Sequence, residues 1–194
     1  MSNEPDPDVL SMARLRAGDD LALNEIMDRW QRRLISFLVR VTGNEAAAVD
    51  LAEETFVRVY QSRARYRPTG AFSTWLFAIA TNLARHHIRW KQRHPSLPID
   101  APTDDQNSLL ETLSASDPVP RKRLEDDEKA NAVRNAILEL PAELREALIF
   151  FEYEDLSHRE IAKLQRCSPK AVETRLYRAR GILRKKLARW LSDS

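Results

Sequence analysis

The sequence predicts an all-α protein built as two small helical bodies joined by a flexible linker. Three observations carry this. Apolar residues recur at spacings of three and four over most of the chain, strand-like alternation is absent over any useful length, and the helical periodicity lapses once, in a proline-rich acidic segment.

Residues 9–17 read as a short helix closed by Gly18. In residues 21–42, Leu23, Ile26, Met27, Trp30, Leu34, Phe37, Leu38 and Val41 form an amphipathic stripe that Gly43 stops. Residues 46–65 repeat the pattern with Val49, Leu51, Ala52, Phe56, Val59 and Tyr60, and Pro68 and Gly70 end it in a turn. Phe72, Trp75, Leu76, Ile79, Ala80 and Leu83 mark one face of a third long helix running towards Trp90. Residues 94–120 hold five prolines and little periodicity, which predicts an extended linker with a helical turn near residues 109–113. Helix resumes over residues 121–140, and Pro141 suits the first turn of another helix ending about Tyr153. The expected organisation is a body at 1–94, a linker at 95–127 and a second body at 128–194.

The 194 residues carry 31 Lys and Arg against 29 Asp and Glu, a net charge of +2 that suggests an ordinary surface. The balance is segregated, however. Residues 71–94 contain Arg85, Arg89, Lys91 and Arg93 and no acid, residues 95–128 carry nine acids against three bases, and residues 157–194 carry eleven bases against three acids. Two basic blocks flanking an acidic stretch are the electrostatic footprint of a polyanion binder. The single cysteine excludes an internal disulfide and a cysteine-rich zinc site, and fits a reducing cytoplasm. No apolar run approaches the roughly 20 residues of a membrane span. Residues 1–20 are acidic and polar rather than signal-like, so membrane insertion and export are not expected.

In the second basic block, Ser157-His-Arg-Glu160 is a capping-box pattern that opens a short helix carrying Ile161, Ala162 and Leu164. Ser168-Pro169 supplies a second cap, with proline where its missing N–H costs nothing. Val172, Leu176, Ala179 and Leu183 then point inward, leaving Lys170, Thr174, Arg175, Arg178, Arg180 and Arg184 mostly outward. Two capped helices about three residues apart, the second basic on its outer face, make a helix-turn-helix. A basic run by itself often only solvates a surface. Here the caps, the spacing and the acid-poor face together favour DNA in the major groove. Arg166 occupies the turn where glycine is common because the backbone tends to positive φ.

The first body narrows the class. Asp50-Leu-Ala-Glu-Glu-Thr-Phe56 gathers Asp50, Glu53, Glu54 and Arg58 on one helical face, and a run from Ala71 through Trp75, Leu76, Ile79, Ala80 and Asn82 leads into Arg85-His-His-Ile-Arg-Trp-Lys-Gln-Arg93. At these residues, and at Leu156-Ser157 with Glu160-Ile-Ala162 before the basic helix, the chain resembles bacterial RNA polymerase sigma factors of the extracytoplasmic-function (ECF) group of the sigma-70 superfamily. The resemblance covers about residues 21–93 and 128–191. It implies a sigma region 2 body and a sigma region 4 body, binding to core RNA polymerase, promoter recognition and promoter opening.

By position, the resemblance assigns core-polymerase binding to Asp50, Glu53, Glu54 and Phe56, with Glu53 standing where the family often has glutamine. It assigns minus-10 DNA and melting to Thr81, Asn82, Arg85, His86 and Arg89, where an unpaired base needs a stacking surface and nearby cations. Trp75 shares the apolar stripe and is expected in the core. Minus-35 reading falls to Lys170, Glu173, Thr174, Tyr177 and Arg178, with Arg175 and Arg180 on phosphates or in structural pairs. In the linker, Asp100, Asp104, Asp105 and Glu111 either mimic nucleic acid or keep an extended tether soluble. The family also commonly uses an anti-sigma factor that clamps both bodies.

Catalysis is not expected. Asp50, Glu53 and Glu54 as magnesium ligands would need a second carboxylate cluster, and residues 21–42 offer only Glu25 and Asp28. His86, His87, His94 and Cys167 do not make a zinc set, and no cofactor is implied. The rival reading is a helix-turn-helix regulator that binds operators without polymerase and uses its N-terminal body as a sensor or dimerisation module.

Overall fold

Local signals in the sequence set most helix ends. The computed structural model describes residues 6–94 and 120–191, with side chains from Asp127 onward in the second segment. α1 (Pro7–Arg16) starts two residues before the apolar pattern does, because Asp6 accepts the Asp8 backbone N–H and proline sits in the first turn. α2 (Leu21–Thr42) ends at Gly43, whose φ of 70° is left-handed. That conformation favours glycine, and a Cβ would also lie 2.9 Å from Leu138 Cδ1, so that the leucine tip would have to move aside. α3 (Glu45–Ser62) is capped by Asn44 and passes into a single 3-10 turn, Arg63–Arg65, so its α-helical part is shorter than the sequence pattern suggested. α4 (Phe72–Arg93) completes the first region.

The second region comprises α5 (Pro120–Leu138), α6 (Ala142–Glu152), α7 (His158–Gln165), α8 (Pro169–Lys186) and a last turn α9 (Ala188–Leu191). Pro141 caps α6 from outside rather than forming its first turn. The expected turn at residues 109–113 and the acids Asp100, Asp104, Asp105 and Glu111 lie outside the described residues.

Helices α1 to α4 pack around Leu34, Phe37, Leu38, Phe56, Phe72, Leu76 and Phe77, all buried. Asp8 is a buried carboxylate that ties α1 to α2 by accepting from Arg29 Nε at 2.8 Å and Trp30 Nε1 at 2.9 Å. In the second region Leu148, Ile149, Ile161, Val172, Leu176 and Ala179 form the inner surface.

The two regions also pack directly on each other. Phe150 of α6 stacks on Phe37 of α2 with ring centroids 5.2 Å apart, and meets the edge of Phe77 of α4 at 6.1 Å. All three rings are fully buried. Around this apolar centre, Arg33 of α2 donates to the Glu154 carboxylate at 2.6 Å and to its carbonyl at 2.7 Å. Arg145 of α6 donates to the Val41 carbonyl at 2.8 Å, satisfying an orphan acceptor at the end of α2. Glu154 has a raised pKa because desolvation of its carboxylate outweighs the nearby Arg33.

Between α7 and α8, Arg166 has φ 51° and ψ 49°, in the left-handed region. An L-residue there loses roughly 1–2 kcal/mol relative to the right-handed form, part of which glycine returns as unfolded-state entropy. Arg166→Gly is therefore expected to stabilise the protein by about 0.5–1 kcal/mol, seen as a rise of a few degrees in Tm. An unchanged or lowered Tm would contradict the strain.

Candidate nucleic-acid and protein interfaces

Three outward faces emerge from this scaffold. The first lies on α3, where buried Ala48, Leu51, Ala52, Thr55 and Val59 turn Asp50 and Glu53 to the exterior. Glu54 is partly withdrawn: Arg58 donates to its carboxylate at 2.8 Å along the same helix. Phe56 faces inward and is 3% exposed, so its contribution to this face is the packing beneath it. Sequence reasoning missed Val57, which is 47% exposed one turn beyond Glu53 and adds an apolar contact to the acidic stripe. The spacing 50, 53, 57 would have revealed it.

The second face lies on α4. Asn82, His86 and Arg89 are exposed and successive at spacings of four and three, so they form one line along the helix. Thr81 lies on the inner side, buried, with no partner for its hydroxyl. Arg85 is occupied: its Nε donates to Glu146 Oε1 at 2.8 Å and its Nη2 to Glu146 Oε2, a two-pronged pair with a carboxylate that is itself buried. Glu146 raises the Arg85 pKa further above its already high value. Trp75 is partly buried against Tyr66, with centroids 4.8 Å apart, and against Phe72. The exposed aromatic of this helix is instead Trp90, 51% exposed, stacked on His94 at 5.0 Å and set among Arg89, Lys91 and Arg93.

The third face lies on α8, held by the helix-turn-helix. The capping box at its first helix is complete: Ser157 Oγ accepts from the Glu160 backbone N–H, and the Ser157 N–H donates to Glu160 Oε2 at 2.9 Å. Hydrogen bonds from the Ser157 hydroxyl and backbone lower the Glu160 pKa. Ser168 caps α8 by accepting from the Ala171 N–H at 3.1 Å. With Val172, Leu176 and Ala179 buried, the side chains of Lys170, Glu173, Thr174, Tyr177 and Arg178 are exposed together, Tyr177 at 80%. Lys170 donates to Glu173 at 2.6 Å.

Two cations of this block are turned to other work. Arg175 donates to Gln165 Oε1 at 2.8 Å, Cys167 Sγ at 3.2 Å and Glu143 at 2.7 Å, tying α8 to the turn and to α6. Arg180 pairs with Glu152 at 2.7 Å and lies over the Phe151 ring at 5.3 Å. Both are thus engaged in pairs within the helix-turn-helix and its neighbouring helix. Tyr177, Arg178, Arg184, Lys185 and His158 line a cleft of about 610 Å³ beside the exposed face.

Among the described residues, no group of three or more His, Cys, Asp or Glu could hold a metal ion, and no helix is long and apolar enough to cross a membrane. The arrangement offers binding surfaces: one acidic, one basic with an aromatic, and one helix-turn-helix.

Comparison with known proteins gives the same division. Residues 26–94 match the family model for Sigma-70 region 2, and residues 130–183 that for Sigma-70, region 4. The RNA polymerase sigma-H factor of Pseudomonas aeruginosa is 31% identical over 183 residues, covering 93% of this chain and 94% of that protein. The ECF RNA polymerase sigma-E factor of Haemophilus influenzae is 30% identical, covering 90% and 92% respectively. Among solved structures, CnrH in complex with the cytosolic domain of CnrY superposes with a TM-score of 0.67 at 23% identity, covering 97% of this chain and 100% of that one. RpoE of Bartonella quintana, solved with the anti-sigma factor NepR, gives 0.64 at 20% identity, covering 85% and 96%. With two region models in order and a 30%-identical relative matched nearly end to end, the chain belongs to the ECF sigma factors of the sigma-70 superfamily, non-catalytic proteins that direct RNA polymerase to promoters.

Proposed function

We propose that the three faces divide the work of initiation. The α3 stripe of Asp50, Glu53 and Val57, with Glu54 released from Arg58, docks on core RNA polymerase. The line of Asn82, His86 and Arg89, joined by Arg85, engages the minus-10 region, and Trp90 offers a stacking surface to an unpaired base. The α8 face of Lys170, Glu173, Thr174, Tyr177 and Arg178 reads the minus-35 element in the major groove. Phe56 and Thr81 support their helices from within, while Arg175 and Arg180 set the pose of α8.

The observation that carries this division is the outward grouping of each set on a different helix over a shared apolar core. This reading keeps the division into bodies at residues 1–94 and 128–194, although the first helix of the second region starts at Pro120, inside the expected linker, and it has the chain act in the cytoplasm beside polymerase. An anti-sigma factor is a further partner of this chain, supported by the similarity to Bartonella quintana RpoE, which was solved with one.

Run-off transcription with purified core polymerase tests the reading. Adding the protein is expected to produce specific starts that core alone does not give. The variant Asp50→Lys/Glu53→Lys is expected to weaken core binding at least about tenfold, a change of about 1.4 kcal/mol, with helical content unchanged. Full affinity in that variant would remove α3 from the polymerase contact.

A further inference from the structure

Helix α8 holds seven basic residues and a single acid, Glu173. That acid stands in the middle of the exposed face: Lys170, Glu173, Thr174 and Tyr177 follow one another at spacings of three, one and three, the repeat of one helical side. A carboxylate placed there repels the phosphates that the rest of the helix attracts. The helix dipole does not account for it, because the reward for an acid fades within the first turn and Glu173 lies five residues past the Ser168 cap. Helix stability does not account for it either. The Lys170 and Glu173 side chains are 84% and 45% exposed, and an exposed pair at this spacing contributes little.

The chemistry of the pair supplies a reason. Lys170 Nζ donates to Glu173 Oε2 at 2.6 Å, which leaves Oε1 without a partner among the described residues and two ammonium protons free to donate elsewhere. Thr174 turns its hydroxyl back onto the Lys170 carbonyl at 3.1 Å, so Glu173 carries the open acceptor at the centre of the face. The hydrogen bond from Lys170 and its charge lower the Glu173 pKa, which keeps the carboxylate ionised and acceptor-only. In the major groove, guanine presents O6 and N7 and thymine presents O4, all acceptors that repel a carboxylate. Adenine sets its N6 amino group beside the acceptor N7, whereas cytosine offers the N4 amino group alone. In a C·G pair that amino group lies next to guanine O6, since the two are hydrogen-bonded to each other, and guanine O6 and N7 accept from lysine. An acceptor and a cationic donor held in contact therefore match the two halves of that base pair.

We propose that Glu173 and Lys170 act as one reading unit that selects a C·G pair at one position of the minus-35 element, the carboxylate accepting from cytosine N4 and the ammonium donating to the guanine of the same pair. The proposal rests on the assignment of the α8 face to that element. Lys170 has a second part in it, because its contact with Glu173 offsets the repulsion between the acid and the flanking phosphates. Selection works largely by exclusion. Guanine or thymine in place of the cytosine sets acceptor against acceptor and leaves the carboxylate unpaired in the groove.

The experiment uses the full-length chain with purified core polymerase and a library of promoters randomised across both elements, each linked to a transcribed barcode. The unaltered chain is expected to favour cytosine over guanine or thymine by about tenfold or more at one minus-35 position. Glu173→Ala is expected to lose most of that preference and to keep the preferences at the other positions. Glu173→Arg installs a guanine reader and is expected to turn the preference at that position from cytosine to guanine by a similar factor. Lys170→Ala is expected to weaken the preference at the same base pair. Circular dichroism is expected to show unchanged helical content in all three variants, because both side chains are exposed and neither holds another helix.

A cytosine preference that survives Glu173→Ala, or minus-35 preferences in which no position favours cytosine, overturns the reading unit. So does a Glu173→Ala variant that loses all minus-35 preferences alike, since the acid would then serve the pose of the helix rather than one base pair. A Lys170→Ala effect confined to a different base pair overturns the sharing of one pair between the two residues. If the unaltered chain selects minus-10 bases and none at minus-35, the assignment of α8 itself fails, an outcome distinct from the others.

Discussion

Replacing Phe77 with alanine is expected to destabilise the protein by about 3–5 kcal/mol, a large share of the 5–15 kcal/mol that holds a typical domain folded. The ring is fully buried and meets four different partners: Phe37 at 4.9 Å, Trp30 edge-on at 6.1 Å, Phe150 at 6.1 Å and the Arg33 guanidinium at 5.9 Å. Its partners come from two other helices, α2 and α6, so no single helix can shift to fill the space. Urea unfolding followed by circular dichroism measures the loss, and a change below about 1 kcal/mol would mean that the site collapses freely. Because Phe77 touches Phe150, the same substitution also loosens the contact between the regions. The midpoint reported by fluorescence of the four tryptophans, Trp30 at this contact among them, should fall together with that reported by overall helicity.

Periodicity alone made the helices of both regions legible. The stripe of Leu34, Phe37, Leu38 and Val41 is buried as its spacing requires, and Gly43 takes the left-handed conformation that a helix-ending glycine permits. The two serine caps and the unusual arginine in the turn were likewise visible, because capping depends on residues only three apart.

Motif position and helical face point in different directions for a few residues: for Phe56 the apolar stripe prevails over the motif, and for Thr81 and Arg175 the motif carries no information on which way the side chain faces. Phe56 lies four residues from Ala52 and three from Val59, and Thr81 four from Phe77 and three from Ala84; all these neighbours are buried. Helical geometry therefore puts both side chains inside, whatever motif they belong to. Arg175 sits three residues after buried Val172 and four before buried Ala179, which draws it beneath the recognition face and onto Glu143 and Gln165. The packing of the regions left one trace in the sequence. The run Ala147-Leu-Ile-Phe-Phe151 is apolar around the helix rather than along one stripe, as expected where a helix is covered on two sides. Which surface covers its second side depends on contacts more than a hundred residues apart, such as Arg33 with Glu154, and no local pattern encodes those.

The recognition helix allows the sharpest separation of specificity from general attraction. Tyr177 and Arg178 are adjacent, exposed and without a hydrogen-bond role in holding the helix-turn-helix, whereas Arg175 and Arg180 have such roles. The double variant Tyr177→Ala/Arg178→Ala is therefore expected to fold normally and to keep its affinity for core polymerase. It should nevertheless lose minus-35 discrimination, since a base-reading arginine is worth about 1–3 kcal/mol and an exposed aromatic contact adds to it. In run-off assays this appears as a fall of roughly tenfold to several hundredfold in initiation that is erased when the minus-35 sequence is scrambled. The salt dependence decides the role of Arg178. If it reads a base, the slope of log affinity against log salt stays nearly unchanged; if it neutralises a phosphate, the slope falls by about one. Arg175→Ala should show the reverse pattern, with lowered thermal stability and, in molecules that remain folded, unaltered preference between promoter sequences. The groups left unpaired there are Gln165 Oε1 and the Glu143 carboxylate, through which Arg175 ties α8 to the turn and to α6.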